Sequence, residues 1–213
     1  MKIISPSLLA ADFANIKDDI HKVENAGAQR LHLDVMDGHF VPNLTFGPLI
    51  IQSIRKTTKC HLETHLMIEN PIESIDQYIE AGSDTIIFHL ESSNNPAKEL
   101  MYIRDNNVFA GIAINPDTDE NLLIPLLDYL DYILIMSVFP GSGGQTFIPK
   151  TMNKIINIDS MRSYRKILLG VDGGINMTTI SKVFSNNIDI AVIGSGLFKA
   201  PDVNQRFQDL LNA

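Results

Sequence analysis

The sequence predicts a single (β/α)8 barrel of the TIM type, and three observations lead to it. Short apolar runs rich in Val, Ile and Leu recur along the whole chain, each followed by a longer amphipathic stretch, as a parallel sheet wrapped by helices requires. Eight such units fit into 213 residues. No Ser/Gly/Pro-rich linker or shift in composition divides them, so residues 1–213 are expected to form one domain around one large core.

Strands are expected at 3–8, 31–36, 61–67, 84–89, 109–114, 131–136, 167–172 and 189–193. Several are continuous hydrophobic runs, such as Tyr132-Ile133-Leu134-Ile135-Met136, because a barrel strand is covered on both faces. Helices should follow at 12–26, 47–57, 72–82, 96–106, 119–128, 149–162, 176–186 and 202–212. The punctuation agrees. Gly27 and Gly82 stand just past helix ends, Pro71 and Pro149 near helix starts, and Asp12, Asn176 and Asp202 are placed to cap N-termini.

Composition excludes several classes. With 45% hydrophobic and 20% charged residues the chain is neither disordered nor fibrous. A net charge of -8 argues against nucleic acid or anionic membrane as a partner, while leaving room for a local phosphate site. The lone cysteine, Cys60, rules out an internal disulfide or a Cys-rich zinc site, and its expected role is structural. Residues 1–14 lack a secretory pattern, and no apolar run approaches the roughly 20 residues that span a bilayer. A soluble, cytoplasmic protein is expected.

Barrels of this kind carry their chemistry at the C-terminal ends of the strands. Ser5, Ser7, His32, Asp34, His65, His89, Asn115, Ser137, Asp172 and Ser195 all fall at that predicted mouth. Side chains alternate across a strand, so in His32-Leu33-Asp34-Val35-Met36 the histidine, carboxylate and methionine share one face. Asp37, next to Gly38, reads instead as a turn residue. Two imidazoles and two carboxylates, His32, Asp34, His65 and Asp172, could form a mixed nitrogen and oxygen site for a divalent metal. Spacing across three strands is a weak signal for a metal, and a hydrogen-bonded polar cluster is the reading the residues alone favour. His21, His39, His61 and His89 read as surface, loop or packing histidines.

Glycine-rich loops follow three late strands: Pro140-Gly141-Ser142-Gly143-Gly144-Gln145, Gly170-Val171-Asp172-Gly173-Gly174-Ile175 and Gly194-Ser195-Gly196. Glycines let a backbone approach an anion and aim several N–H groups at it, and barrels often bind phosphate there. The pattern is neither a P-loop nor a dinucleotide fingerprint.

Seven stretches together resemble the ribulose-phosphate 3-epimerase family: residues 5–13, 31–48, 65–71, 114–116, 140–150, 171–175 and 194–198. They span nearly the whole chain, and the block from Leu31 to Pro48 is the most specific. The resemblance implies a (β/α)8 barrel that interconverts D-ribulose 5-phosphate and D-xylulose 5-phosphate with one divalent metal ion per subunit (Zn2+, Fe2+, Mn2+ or Co2+). It implies that His32, Asp34, His65 and Asp172 are the metal ligands, with Asp34 and Asp172 also the acid–base pair. It further implies that Ser7 and His65 touch the substrate and that Gly141, Ser142, Gly143 and Gly144 line its lower end. Gly173 and Gly174 would line that end too, Gly194 with Ser195 would cradle the phosphate, and Met36, Met67 and Met136 would stand beside the reactive carbons. A homo-oligomer, dimer or hexamer, is implied as well.

The chain departs from the family pattern at Phe139, usually polar, at Ser142, usually aromatic, and at Glu63-Thr64 before His65. D-Allulose 6-phosphate is therefore the alternative substrate. A metal-dependent sugar-phosphate hydrolase would use the same four ligands to activate water, and a non-catalytic sugar-phosphate sensor would bind without turnover.

Overall fold

Parallel strands form one ring in the computed structural model, which describes residues 2–213. In chain order these are β1 (Ile3–Pro6), β2 (Arg30–Met36), β3 (His61–Met67), β4 (Thr85–His89), β5 (Phe109–Ile114), β6 (Tyr132–Met136), β7 (Leu168–Asp172) and β8 (Ile190–Ile193). Their spatial order is β1-β8-β7-β6-β5-β4-β3-β2. A parallel bridge between Ser7 and His32 joins the two ends. The predicted barrel is the observed one.

The helices are α1 (Ile16–Asn25), α2 (Pro48–Arg55), α3 (Ile75–Glu80), α4 (Pro96–Asp105), α5 (Thr151–Arg162), α6 (Ile180–Phe184), α7 (Ser195–Phe198) and α8 (Val203–Leu211). Gly27 and Gly82 take positive φ past α1 and α3, as their positions predict. Asp202 caps α8 by accepting from the Gln205 N–H at 3.0 Å.

Several elements differ from expectation for local reasons. The segment expected as a helix over 119–128 is a 3-10 helix, Glu120–Tyr129, because Pro125 in its interior has no N–H to donate and crowds the preceding turn. The chain after β1 makes a 3-10 turn, Leu8–Ala10, so the first strand stops before residue 8 and α1 starts only at Ile16. Asp12 caps no helix; its carboxylate accepts from the Ala14 N–H and from Asn15 Nδ2 in a local turn. Asn176 behaves alike, accepting from the Thr178 N–H at 2.9 Å, and the helix expected from 176 begins at Ile180. The helix expected over 72–82 opens as a 3-10 turn, Pro71–Glu73, and turns α-helical at Ile75.

Two cores result from the alternation. Leu31, Leu33 and Val35 of β2 face the helices, as do Leu62 and Leu66 of β3, and all belong to the large outer core. Inside the ring Ile87, Ala113, Tyr132, Leu134, Ile190 and Val192 form a second core. Tyr132, 1% exposed, lies directly over Gly170. A Cβ at Gly170 would sit 1.9 Å from its hydroxyl oxygen and 2.6 Å from Cζ. Gly170→Ala is therefore expected to destabilise the fold by about 3 kcal/mol, the upper range for overpacking, in urea denaturation, and adding Tyr132→Leu should recover part of that loss.

Cys60 is buried and free, its thiol 3.2 Å from the Ala28 carbonyl oxygen, which is the structural role expected. No helix among the described residues is long and apolar enough to cross a membrane.

Candidate metal centre and active site

The parallel register sets Asp34 of β2 beside His65 of β3, and the pleat turns His32, Asp34 and His65 to the inside of the ring. Asp172 reaches the same point from the end of β7. His32 Nε2 lies 3.2 Å from His65 Nδ1, and each of these nitrogens lies 3.3 Å from Asp34 Oδ1. Asp172 Oδ2 stands 3.9 Å from both nitrogens. One donor atom from each residue falls within 4.8 Å of all the others. A tetrahedral ion with bonds of about 2.0–2.2 Å sets its ligand atoms about 3.4 Å apart, so these edges fit a divalent metal.

The surrounding groups orient the donors. Glu63 Oε1 is 3.1 Å from His32 Nδ1, which leaves Nε2 to face the cluster. The same carboxylate accepts from Ser5 Oγ and, at 2.9 Å, from Arg30 Nε. On the other side His65 Nε2 meets His89 Nε2 at 2.9 Å. His89, expected to be a surface, loop or packing histidine, is fully buried behind His65. His21, His39 and His61 lie away from the cluster, His39 exposed in the loop after β2. Asp37 is the turn residue expected, accepting from the His39 and Phe40 N–H groups.

Electrostatics separate the two aspartates. Burial alone would raise Asp34, but the charge and hydrogen bonds of His32 and His65 outweigh it and hold Asp34 well below the usual carboxylate range. Asp172 has burial and the Asp34 charge against its ionised form, and is raised to about 7. Burial opposes charge on His32 too, yet Asp34 and Glu63 keep its pKa well above the ordinary value. His65, desolvated and beside two other imidazoles, falls to about 4.

Above the cluster opens a cavity of about 220 Å3. Ser7, Asp34 and Asp172 reach its floor, and Ser7 Oγ donates to Asp34 Oδ2 at 2.6 Å. Met36, Met67 and Met136, each 2% exposed, form apolar walls. Gly141, Ser142, Gly143 and Gly144 line one side, held by Gln145 Nε2 donating to the Phe139 and Ser142 carbonyls. Gly173, Gly174, Gly194 and Ser195 line the far end. Gly174 has φ +65°, and a Cβ there would stand 2.3 Å from the Phe147 nitrogen, so only glycine fits. Every site residue expected from the sequence thus lines the cavity or lies just under it. Lys199, the one cation among the described residues lining the cavity, escaped notice because an exposed lysine after a short helix carries no pattern.

With this geometry in view, the profile described as "Ribulose-phosphate 3 epimerase family" matches residues 3–198. The chain belongs to that family. Relatives named ribulose-phosphate 3-epimerase include one from Aquifex aeolicus, 39% identical over 99% of this chain and 96% of its own length. Another, from Bacillus subtilis, is 37% identical over 97% of both chains. Among solved structures, a 3-hexulose-6-phosphate synthase superposes at TM-score 0.69 with 15% identity, covering 100% of this chain and 99% of that one. A tryptophan synthase from Mycobacterium tuberculosis gives 0.71 at 13% identity, over 99% and 91%. At such identities these two show the barrel fold alone. Membership in the ribulose-phosphate 3-epimerase family makes the chain an enzyme, an isomerase of the epimerase type.

The raised Asp172 carboxyl has a consequence for this epimerase's stability. Its folded-state pKa of about 7 exceeds the ordinary 3.8, so the folded protein binds the extra proton between those values. Stability is then full below about pH 4 and falls as pH rises through 7. An amide at this position has no proton to lose. In chelator, Asp172→Asn is expected to match the native chain at pH 4 and to exceed it by about 4 kcal/mol at pH 8, read by urea denaturation.

Proposed function

We propose that the chain interconverts D-ribulose 5-phosphate and D-xylulose 5-phosphate by two-base proton transfer at C3. The observation that carries this reading is the pair Asp34 and Asp172, which reach one cavity from separate strands with ionisation pushed apart: one carboxylate, one acid near neutral pH. Inverting a carbon without turning the intermediate over needs one group to take a proton and another to give one. Asp34 and Asp172 exchange those roles with the direction of reaction.

His32, Asp34, His65 and Asp172 would hold one divalent ion per subunit, Zn2+, Fe2+, Mn2+ or Co2+, as their nitrogen and oxygen donors suit. Such an ion would supply Lewis acidity for the negative charge that develops on the substrate's oxygens as the C3 proton leaves. Ser7 holds Asp34 at its working position and presents its hydroxyl to the sugar. Met36, Met67 and Met136 exclude water from the carbanion without offering protons. The turns around Gly144, Gly173, Gly174, Gly194 and Ser195 take the phosphate, where the first turn of α7 leaves backbone N–H groups ahead of Leu197, the first to bond within it.

Ribulose 5-phosphate in D2O tests this, followed at C3 by NMR. Deuterium uptake with formation of xylulose 5-phosphate is expected. Metal-loaded protein that gives neither would sink the reading, and release of inorganic phosphate would point to a hydrolase. D-Allulose 6-phosphate in the same assay tests the longer ketose.

The same reading places the protein in the cytoplasm as a homo-oligomer, dimer or hexamer. Leu44, 78% exposed, lines with Phe13, Phe46 and Ile50 an apolar groove of about 630 Å3, which a second copy would cover. Light scattering of the purified chain measures it.

A further inference from the structure

Two carboxylates, the buried Glu63 and the partly exposed Glu91, reach the metal cluster through histidine rings. Glu63 touches His32 directly, whereas the second path is longer and runs along the end of β4. His65 Nε2 and His89 Nε2 are 2.9 Å apart, with the ring planes 24° apart and the centroids at 5.0 Å. That separation leaves room only for an edge-to-edge approach, so the hydrogen bond lies near both ring planes. His89 Nδ1 in turn lies 3.2 Å from Glu91 Oε2. The other Glu91 oxygen accepts from the Asn115 N–H at 2.8 Å and from Thr118 Oγ1, which fixes the carboxylate. The Phe40 ring packs on His89 with centroids 4.9 Å apart and closes the side of the path.

We propose that His89 and Glu91 are positioning residues that fix the tautomer of His65, so that its Nδ1 presents an unprotonated nitrogen to the metal. The protons can be placed in one consistent order. Glu91 is a carboxylate and can only accept, so His89 Nδ1 carries hydrogen and His89 Nε2 does not. His89 Nε2 then accepts from His65 Nε2–H, which leaves His65 Nδ1 bare at 3.3 Å from Asp34. The Glu91 pKa, lowered to about 2 chiefly by the His89 and Thr118 hydrogen bonds against the cost of burial, agrees with a permanent anion there. Outer partners of this kind typically change metal affinity by about 10- to 100-fold. The proposal rests on the metal reading above.

Co2+ binding to the full chain tests both separately, with the affinity measured by competition against a chelating dye and the visible absorption of bound Co2+ recorded. The native chain should bind one Co2+ with absorption typical of a low-coordinate nitrogen and oxygen site. His89→Phe removes the acceptor and lets His65 place its hydrogen on Nδ1, so affinity should fall by about 10- to 100-fold with an altered absorption band. His89→Gln keeps an oxygen that accepts from His65 Nε2–H and should restore affinity and band. Glu91→Leu, at a partly exposed position, should weaken binding about tenfold and carries the test if His89→Phe does not fold. Native affinity and spectrum in His89→Phe and Glu91→Leu would overturn the relay alone. A His89→Gln variant as weak as His89→Phe would overturn it too. A native chain that binds no Co2+ would overturn the metal reading along with it.

Discussion

Asp172→Asn is expected to abolish inversion at C3, lowering kcat by about 1000-fold or more, as loss of a general acid–base partner does. The substitution keeps the shape of the side chain at the end of β7 and removes its capacity to carry the proton. Asp34 remains, and the environment that keeps it ionised is supplied by His32 and His65 rather than by Asp172. The variant should therefore still exchange the C3 proton of the epimer that faces Asp34, without delivering a proton to the opposite face. NMR in D2O would show deuterium entering one epimer while the other never forms. Metal content must be measured on the same sample, because Asp172 is also a ligand in this reading, and saturating Mn2+ or Co2+ separates the two losses. Full activity in the variant would remove Asp172 from the acid–base role.

Stripping divalent metal with a strong chelator should have a comparably large effect. Lewis-acid stabilisation of developing charge amounts to several kcal/mol, which corresponds to about 1000-fold in kcat. The fold should respond as well, because an ion bound only by the native state adds about 4 kcal/mol when present at 1000 times its Kd. A lower Tm in chelator, with Tm and activity both restored by Zn2+, Mn2+ or Co2+, is the expected result. Undiminished turnover in chelator, on protein confirmed free of metal, would exclude the metal from the reaction.

The sequence made the barrel legible because alternation within strands and spacing between them are local signals. His32, Asp34 and Met36 could be put on one face by counting in twos, and the structure keeps them there. The same count applied to β3 puts Glu63 on the face of His65 and Met67, so Glu63 was within reach of the argument. His89 and Glu91 were less so: their importance lies in a ring-to-ring contact across two strands that no spacing encodes. Asp12 and Asn176 show a different limit. Short polar side chains close turns and cap helices with the same hydrogen bonds, so residue type alone does not separate the two uses. Pro125, by contrast, is a local signal, and the helix expected over 119–128 ran through it without weighing the missing N–H.

Tyr132 and the apolar side chains around it seal the barrel beneath the metal cluster, where Ile87, Leu134 and Ile190 are wholly buried. The reaction chamber is thus a cul-de-sac with a single mouth. Sugar and solvent enter it past the 140–145 loop. Substrate and product therefore take turns at one entrance, and product must leave before new substrate can reach the cluster.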